Sequence, residues 1–523
     1  MKGYRVKRSV ASVIMIVLVL VMIFNYSLVS AADTQQIKPD FTKIDAYIEK
    51  EMNDCRIPGL AVCVVQKDKV LYSKGYGQAG GGRNVTPQTP FIIGSVSKSF
   101  TALAVMQLVE AGKIQLDQPV KTYLPWFTVR TRDLANRELS DRITIKDLLH
   151  HTSGIGPNAE FEVASTDGGD TIRQLVRKMS RIQLAKAVGT YFQYSNANYI
   201  ILGAVIEEVA GLSYEEYLKQ NIFAPLKMNH SFSSQTDAEK DGLAVGYGTI
   251  LGFPKPLSLP YRKDFLPAYS IIASAEDLSH YLIALLNDGQ YQGGSILSKA
   301  GVAALTQPGF PISKWVSYGM GWYVTSGSFY HGGDLPNFQA KVKLLPEDKL
   351  GIAMLLNTSS DETVQLFNSG YRDKIESGII SLLYGYEPEP PPGGFLDLNR
   401  YPIQVTYNFY LALIGVIVFL FGFGVIRLFG LKKRLAKTPK GFWRFIVISC
   451  LLNLALPVYI LTATPKIAHG SWALVLMYQP GIGYILFSIA TLLLFLGIFK
   501  AILIGKLLKK FRAGFSKKTG FIR

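Results

Sequence analysis

The sequence predicts an α+β fold. One antiparallel sheet is built from both ends of an exported domain and flanked by its terminal helices. A helical lobe comes from the middle of that domain, and a three-span α-helical membrane region comes after it. Three observations carry this. Strand-type runs sit at the two ends of residues 40–385 with helical periodicity between them. A Pro- and Gly-rich stretch, "YEPEPPPGGFLDLNR" at 386–400, closes that part. Beyond it, long apolar runs alternate with basic loops.

The chain of 523 residues opens with Lys2, Arg5, Lys7 and Arg8. The apolar run "SVASVIMIVLVLVMIFN" (9–25) comes next, and small residues lie at Val29-Ser30-Ala31. Basic, apolar, then small is the layout of a secretory signal, so residues 1–32 are read as a signal peptide; an uncleaved anchor helix would export the rest of the domain equally. Residue 33 onward is expected outside the cytoplasm.

Within the domain, 33–385, Phe41, Ile44, Tyr47, Ile48 and Met52 recur at helical spacing. Strands are expected at "LAVCVV" (60–65) and "VLYSKGYG" (70–77), around the turn "QKDK". Residues 95–290 read mostly as helices and long loops. Strands return at 318–325, 337–345 and 350–357, the last two joined by "PEDK", and a helix over 362–384 closes the domain. A cleft between the lobes is the expected place for a site.

Residues 386–406 form the linker. The apolar runs 407–430 and 445–463, and a third from about 472 to 505 broken by "QPGIG" (479–483), are long enough to span a bilayer, which takes about 20 residues. Six basic residues between Lys432 and Arg444 and a basic tail from Lys506 place the first loop and the tail in the cytoplasm, whereas the loop near 464–471 holds Lys466 as its one charge. Three crossings then leave residue 400 outside, in agreement with the signal peptide. The third stretch also reads as a short interfacial piece to Tyr478 and then a span from about 482.

The net charge of +17 is concentrated at the ends. Residues 401–523 carry 16 Lys and Arg and no Asp or Glu, and with the four basic residues at the start this leaves 33–400 at −3. A nucleic-acid partner needs a basic face on the folded domain, and none is implied. Of three Cys, Cys450 lies in an apolar run; Cys55 and Cys63 can pair in an oxidising compartment, or Cys63 packs as a small apolar residue in "LAVCVV". His, Cys, Asp and Glu show no metal-ligand spacing, so neither a metal nor another cofactor is expected.

Three short motifs carry chemistry. "GSVSKSF" (94–100) stands at the mouth of an apolar helix. Residues three apart share a helix face, so Ser95 and Lys98 can meet. Ser is also a favoured cap at a helix start, and the pair taken alone allows either reading. A Lys in the first helical turn of a dry site is driven toward its neutral form, which makes it a base beside a hydroxyl nucleophile. "YFQYSNANYIILG" (191–203) puts Tyr194 and Asn196 on a short loop before an apolar helix, as proton-sharing phenol and carbonyl-orienting amide, or as an aromatic turn with an Asn cap. "FYHGGDLPNF" (329–338) puts His331, Gly332 and Gly333 between two predicted strands, where glycines admit a close backbone approach; a lone His there is a substrate donor or a structural residue.

Ser-x-x-Lys, then Tyr-x-Asn about a hundred residues on, then His-x-Gly on a late strand resemble the serine β-lactamase and penicillin-binding protein superfamily, in particular its class C β-lactamase-like branch. "IPGLAVCVVQKDKVLYSKGYG" (57–77), "ITIKDLLHHTSGI" (143–155), "SAEDLSHYL" (274–282) and "YGMGW" (318–322) are similar too. The resemblance covers residues 40–385, and the trailing spans look like an arrangement found in exported penicillin-binding-like proteins of Gram-positive bacteria. It implies Ser95 as the acylated nucleophile, Lys98 as its activator, Tyr194 as a partner in proton transfer and Asn196 as a substrate contact. It also implies His331 and Gly333 on the strand lining the site, and an oxyanion hole from the N–H groups of Ser95 and Asp334. Three stretches depart from the family pattern. His331-Gly332-Gly333 replaces Lys-Thr-Gly, exchanging a fixed carboxylate-binding cation for a titratable imidazole, which argues against efficient β-lactam hydrolysis. Val188-Gly189 and Tyr269-Ser270 replace Pro-Gly and Gly-Gly, which alters the cleft rim.

The expectation is an exported, multi-pass membrane-anchored serine hydrolase whose partners are the lipid bilayer and a cell-envelope substrate, D-alanyl peptides or esters. The alternatives are an esterase or D-aminopeptidase on small substrates, and a slowly deacylating β-lactam-binding sensor. In a further reading, a transport or immunity protein, the exported domain is an accessory; the near absence of charge within the spans counts against it.

Overall fold

The computed structural model describes residues 39–130, 140–157, 159–165, 169–250, 253–359 and 370–388. In the C-terminal region it describes 451–467, 480–519 and scattered positions between 411 and 475. The expected signal peptide, the linker from residue 389 and, apart from isolated positions, the first expected span lie outside the described residues. So do residues 362–369 of the expected closing helix.

The helices that matter are α1 (Phe41–Cys55), α2 (Ser97–Glu110), α3 (Ala159–Val163), α4 (Asn196–Ala210), α5 (Ala275–Leu286), α6 (Gly370–Leu383) and α7 (Pro480–Thr519). The chain forms two compact units. The smaller holds the start of α1 and the end of α6. In it Lys43 pairs with Glu387 at 2.7 Å, and the Tyr47 phenol occupies the space a side chain at Gly378 would need.

The larger unit contains the sheet. Its strands are β1 (Gly59–Gln66), β2 (Lys69–Gly80), β3 (Arg83–Asn84), β4 (Phe310–Pro311), β5 (Ser317–Tyr318), β6 (Tyr323–Val324), β7 (Phe329–Leu335), β8 (Phe338–Leu345) and β9 (Leu350–Leu356). They run in the order β4-β5-β6-β7-β8-β9-β1-β2-β3, antiparallel throughout. The early and late strands meet where β1 pairs with β9, Leu60 opposite Leu356 and Gln66 opposite Leu350. Leu60–Val65 are fully buried, which explains why that strand reads as a continuous apolar run. Helix α5 packs across β1 and β9.

Two strand expectations change. The run 318–325 is broken into β5 and β6, because Gly321 has a left-handed φ of +78° and a Cβ there would stand 2.8 Å from the Lys98 carbonyl oxygen. Residues 329–335 form a full strand, β7, despite two adjacent glycines of low strand propensity; pairing with β8 from Phe329–Leu344 to Leu335–Phe338 overrides the local preference. Cys55 and Cys63 are both free, and Cys63 packs in the core, its thiol pushed up to about 12 by burial.

Helix α2 is the axis of the helical lobe. Ser97–Met106 are all buried, so it is surrounded on every side, chiefly by α4 and the turn Leu266–Ser270. In the C-terminal region α7 begins at Pro480, where proline suits the first helical turn. Pro480, inside the expected break, is therefore a helix start, and Gly483–Ile502 within α7 is long and apolar enough to cross a membrane. Leu451–Pro465 is a shorter apolar helix.

Candidate active site

Ser95 does not cap α2. It lies on the single 3₁₀ turn Gly94–Val96 that feeds the helix, and neither helix start has a side-chain cap bond. Ser97 ties the turn instead: its hydroxyl donates to the Gly94 carbonyl at 2.7 Å and accepts from the Ile271 N–H at 3.1 Å. The Ser95 hydroxyl is thus left free of helix-capping work and is partly exposed.

One turn on, Lys98 is fully buried. Its Nζ lies 3.0 Å from Ser95 Oγ, 2.7 Å from Asn196 Oδ1 and 2.9 Å from the Ala268 carbonyl oxygen. Burial draws the amine down to about 7, against a smaller opposing pull from Glu160.

Tyr194 and Asn196 arrive from the loop before α4. The Tyr194 phenol hydrogen-bonds Ser95, and its ring lies 4.8 Å from Lys98 Nζ. Desolvation holds the phenol well above its ordinary range, so it stays protonated. His151 backs the ring at a centroid distance of 4.4 Å. The imidazole Nδ1 accepts from the Ser195 N–H at 3.2 Å and from the Asn198 amide at 3.1 Å, which anchors it.

The strand β7 supplies the opposite wall. Gly333 and Gly94 meet backbone to backbone, and a Cβ on Gly94 would stand 2.9 Å from the Asp334 nitrogen. This brings the Asp334 nitrogen up against the turn that carries Ser95. His331 is buried. Its Nδ1 lies 2.7 Å from the Gly332 carbonyl, which can only accept, so Nδ1 carries the proton and Nε2 accepts from the Tyr318 hydroxyl at 3.1 Å. Burial, reinforced by Lys98, lowers it to about 3. The expected titratable imidazole donating to substrate is therefore a neutral ring with both nitrogens engaged internally.

Cations do stand on the wall, from residues the motifs did not mark. Ser95, Tyr194, Asn196, His331, Asp334 and Arg372 line a cavity of about 450 Å³ that Lys341 also borders. Arg372, at the start of α6, fills the space beside Gly332 and binds Asp334 at 2.7 Å; Lys341 binds Asp373 at 2.9 Å. Both cations are buried and paired. Glu160, on α3, is a second residue with no motif: it is fully buried and accepts from the Asn196 amide at 2.8 Å. Of the sequence-marked residues, Ser95, Tyr194, Asn196, His331, Gly332 and Asp334 line one hollow, Lys98 lies buried behind Ser95, and Gly333 abuts the Ser95 turn. A neutral amine in hydrogen-bond reach of a hydroxyl there can take its proton. Among the described residues no cluster of His, Cys, Asp and Glu suited to a metal ion occurs.

The chain resembles other proteins over most of its length. It is 28% identical over 449 residues to "Protein flp" of Staphylococcus aureus (strain MW2), covering 84% of this chain and 85% of that protein. It is 32% identical over 277 residues to "Putative penicillin-binding protein PbpX" of Bacillus subtilis (strain 168), covering 53% of this chain and 64% of that one. The octameric penicillin-binding protein homologue from Pyrococcus abyssi superposes with a TM-score of 0.57 at 28% identity, over 67% of this chain and 78% of its own. With the beta-lactamase family model matching residues 44–373, the chain belongs to that family, within the serine β-lactamase and penicillin-binding protein superfamily of serine hydrolases.

Proposed function

We propose that the chain is an exported serine hydrolase, held at the membrane by its C-terminal spans, that works through an acyl-enzyme on Ser95. One observation carries the reading: a fully buried Lys98 amine, drawn to about 7, 3.0 Å from a partly exposed hydroxyl.

Neutral Lys98 accepts the Ser95 proton as Oγ bonds to the substrate carbonyl carbon. The N–H groups of Ser95 and Asp334 receive the developing oxyanion; such donors contribute about 3–4 kcal/mol each. Tyr194 keeps its proton at neutral pH and so serves as an acid: it protonates the leaving group as that bond breaks, and the Lys98 ammonium restores the phenol. Water then attacks the ester with Lys98 again as base, and Ser95 recovers its proton. Asn196 orients the substrate carbonyl.

For the substrate, D-alanyl peptides or esters of the cell envelope fit the penicillin-binding names of the relatives. The neutral His331 and the paired state of Arg372 and Lys341 favour a second class, small esters and amides without a carboxylate. The domain limits 33–385, three spans with the first loop and the tail in the cytoplasm, and an extracytoplasmic site in a Gram-positive cell complete the proposal. Gly483–Ile502 supports the last span. Labelling with a fluorophosphonate or fluorescent penicillin tests the chemistry: wild type should label covalently and Ser95→Ala should not. Equal labelling of the two would overturn it.

A further inference from the structure

Resting on the reading of Ser95 as the acylated nucleophile, we propose that Glu160 is a positioning residue. It locks the Asn196 amide in one orientation, aims the Lys98 lone pair at Ser95, and stands as the buried counter-charge to the amine.

The reasoning is one of donors and acceptors. As an ammonium, Lys98 has three N–H groups, and three acceptors surround it: Ser95 Oγ, Asn196 Oδ1 and the Ala268 carbonyl oxygen. As a neutral amine it has two N–H groups and a lone pair. The Ala268 carbonyl can only accept. If Asn196 also presents its oxygen, both N–H groups are taken and the lone pair faces the one partner able to donate, Ser95 Oγ–H. If the amide turned over, its NH₂ would donate to that lone pair and block the base. Glu160 prevents this: a carboxylate only accepts, so its 2.8 Å contact with Asn196 fixes the nitrogen toward Glu160 and the oxygen toward Lys98.

Glu160 is costly where it stands. It is fully buried, and its second oxygen, Oε2, has no hydrogen-bond partner among the described residues. Burial raises it, while the Asn196 amide, the backbone N–H groups of Glu160 and Ala197, and Lys98 oppose the rise. The other groups facing the amine are uncharged. The Tyr194 and Tyr199 rings lie 4.8 and 5.7 Å from Nζ, and burial keeps His151 and His331 neutral. Removing Glu160 therefore alters both the aim of Lys98 and the pH at which it loses its proton.

The test uses the full-length protein in membranes and the rate of covalent labelling by a fluorophosphonate probe as a function of pH. Glu160→Gln retains an acceptor for the amide but no charge. It should label within about threefold of wild type at pH 9, with the acid limb of its profile displaced to lower pH, since the amine has lost the anion that favours its charged form. Glu160→Ala loses both, and should label about tenfold more slowly at pH 9, the scale of one buried hydrogen bond. An unchanged rate in Glu160→Ala together with an undisplaced limb in Glu160→Gln overturns the proposal. If Glu160→Ala does not fold, the position of the Glu160→Gln limb decides alone. Absence of labelling in wild type, or labelling that survives Ser95→Ala, instead overturns the acyl-enzyme reading.

Discussion

Gly333 and Gly94 lie so close that a Cβ on Gly333 would overlap the Ile93 carbonyl oxygen and stand 3.1 Å from Gly94 Cα. The atoms in the way are backbone, held by the Ile93 N–H bond to the Ile271 carbonyl at 2.9 Å, and cannot swing aside. Gly333→Ala should therefore push β7 away from the Ser95 turn. The expected result is a loss of about 1–3 kcal/mol in stability, the range for overpacking, and a larger proportional loss of acylation rate. Thermal unfolding and labelling rates, measured on the same preparation, check this.

Lys98→Ala should lower the acylation rate by about 10²–10⁴-fold, the usual contribution of a positioned general base. Lys98→Arg should not rescue it, because a guanidinium stays protonated. Single-turnover labelling of each variant measures the loss.

The acylation rate should rise with pH and level off above about 7. Lys98 is lowered to about 7, and its active form is the neutral one. Below that pH the ammonium predominates and the rate should fall about tenfold per unit. His331, lowered to about 3, adds no second inflection between pH 5 and 8. A pH–rate profile with two acid-side inflections in that window that both persist in Glu160→Gln would contradict the assignment.

Tyr194→Phe removes the leaving-group acid but spares the base. Amide substrates, whose amine must be protonated to depart, should lose at least tenfold more rate than nitrophenyl esters, whose leaving group departs as an anion. Comparing kcat/KM on matched ester and amide pairs tests this.

A chain starting at residue 33 and ending at Tyr386 should be soluble and keep hydrolytic activity within about twofold, since every residue lining the cavity lies between Ser95 and Asp373. Activity assays on the truncated and full-length proteins make the comparison.

The parts legible in the sequence are those set by local geometry. Ser95 and Lys98 share a face because they are three residues apart at a helix start, and that spacing does not depend on the rest of the fold. The buried strand 60–65 announces itself by an unbroken apolar run, and the helix Gly483–Ile502, long and apolar enough to cross a membrane, by its length and hydropathy. Tyr194, Asn196 and the His331 strand are legible as an ordered set of motifs.

What tertiary structure alone decided depends on residues distant along the chain. The strand character of 329–335 comes from pairing with β8, not from its glycines. His331 is neutral because Tyr318 and the surrounding core exclude water from it. Arg372 reaches the cavity from α6, nearly 280 residues beyond Ser95, and Glu160 meets Asn196 across 36 positions with no spacing rule to foretell it. The sequence by itself determined which groups could react; desolvation and cross-chain contact determined their charge and aim, because both are sums over neighbours that only the folded chain assembles.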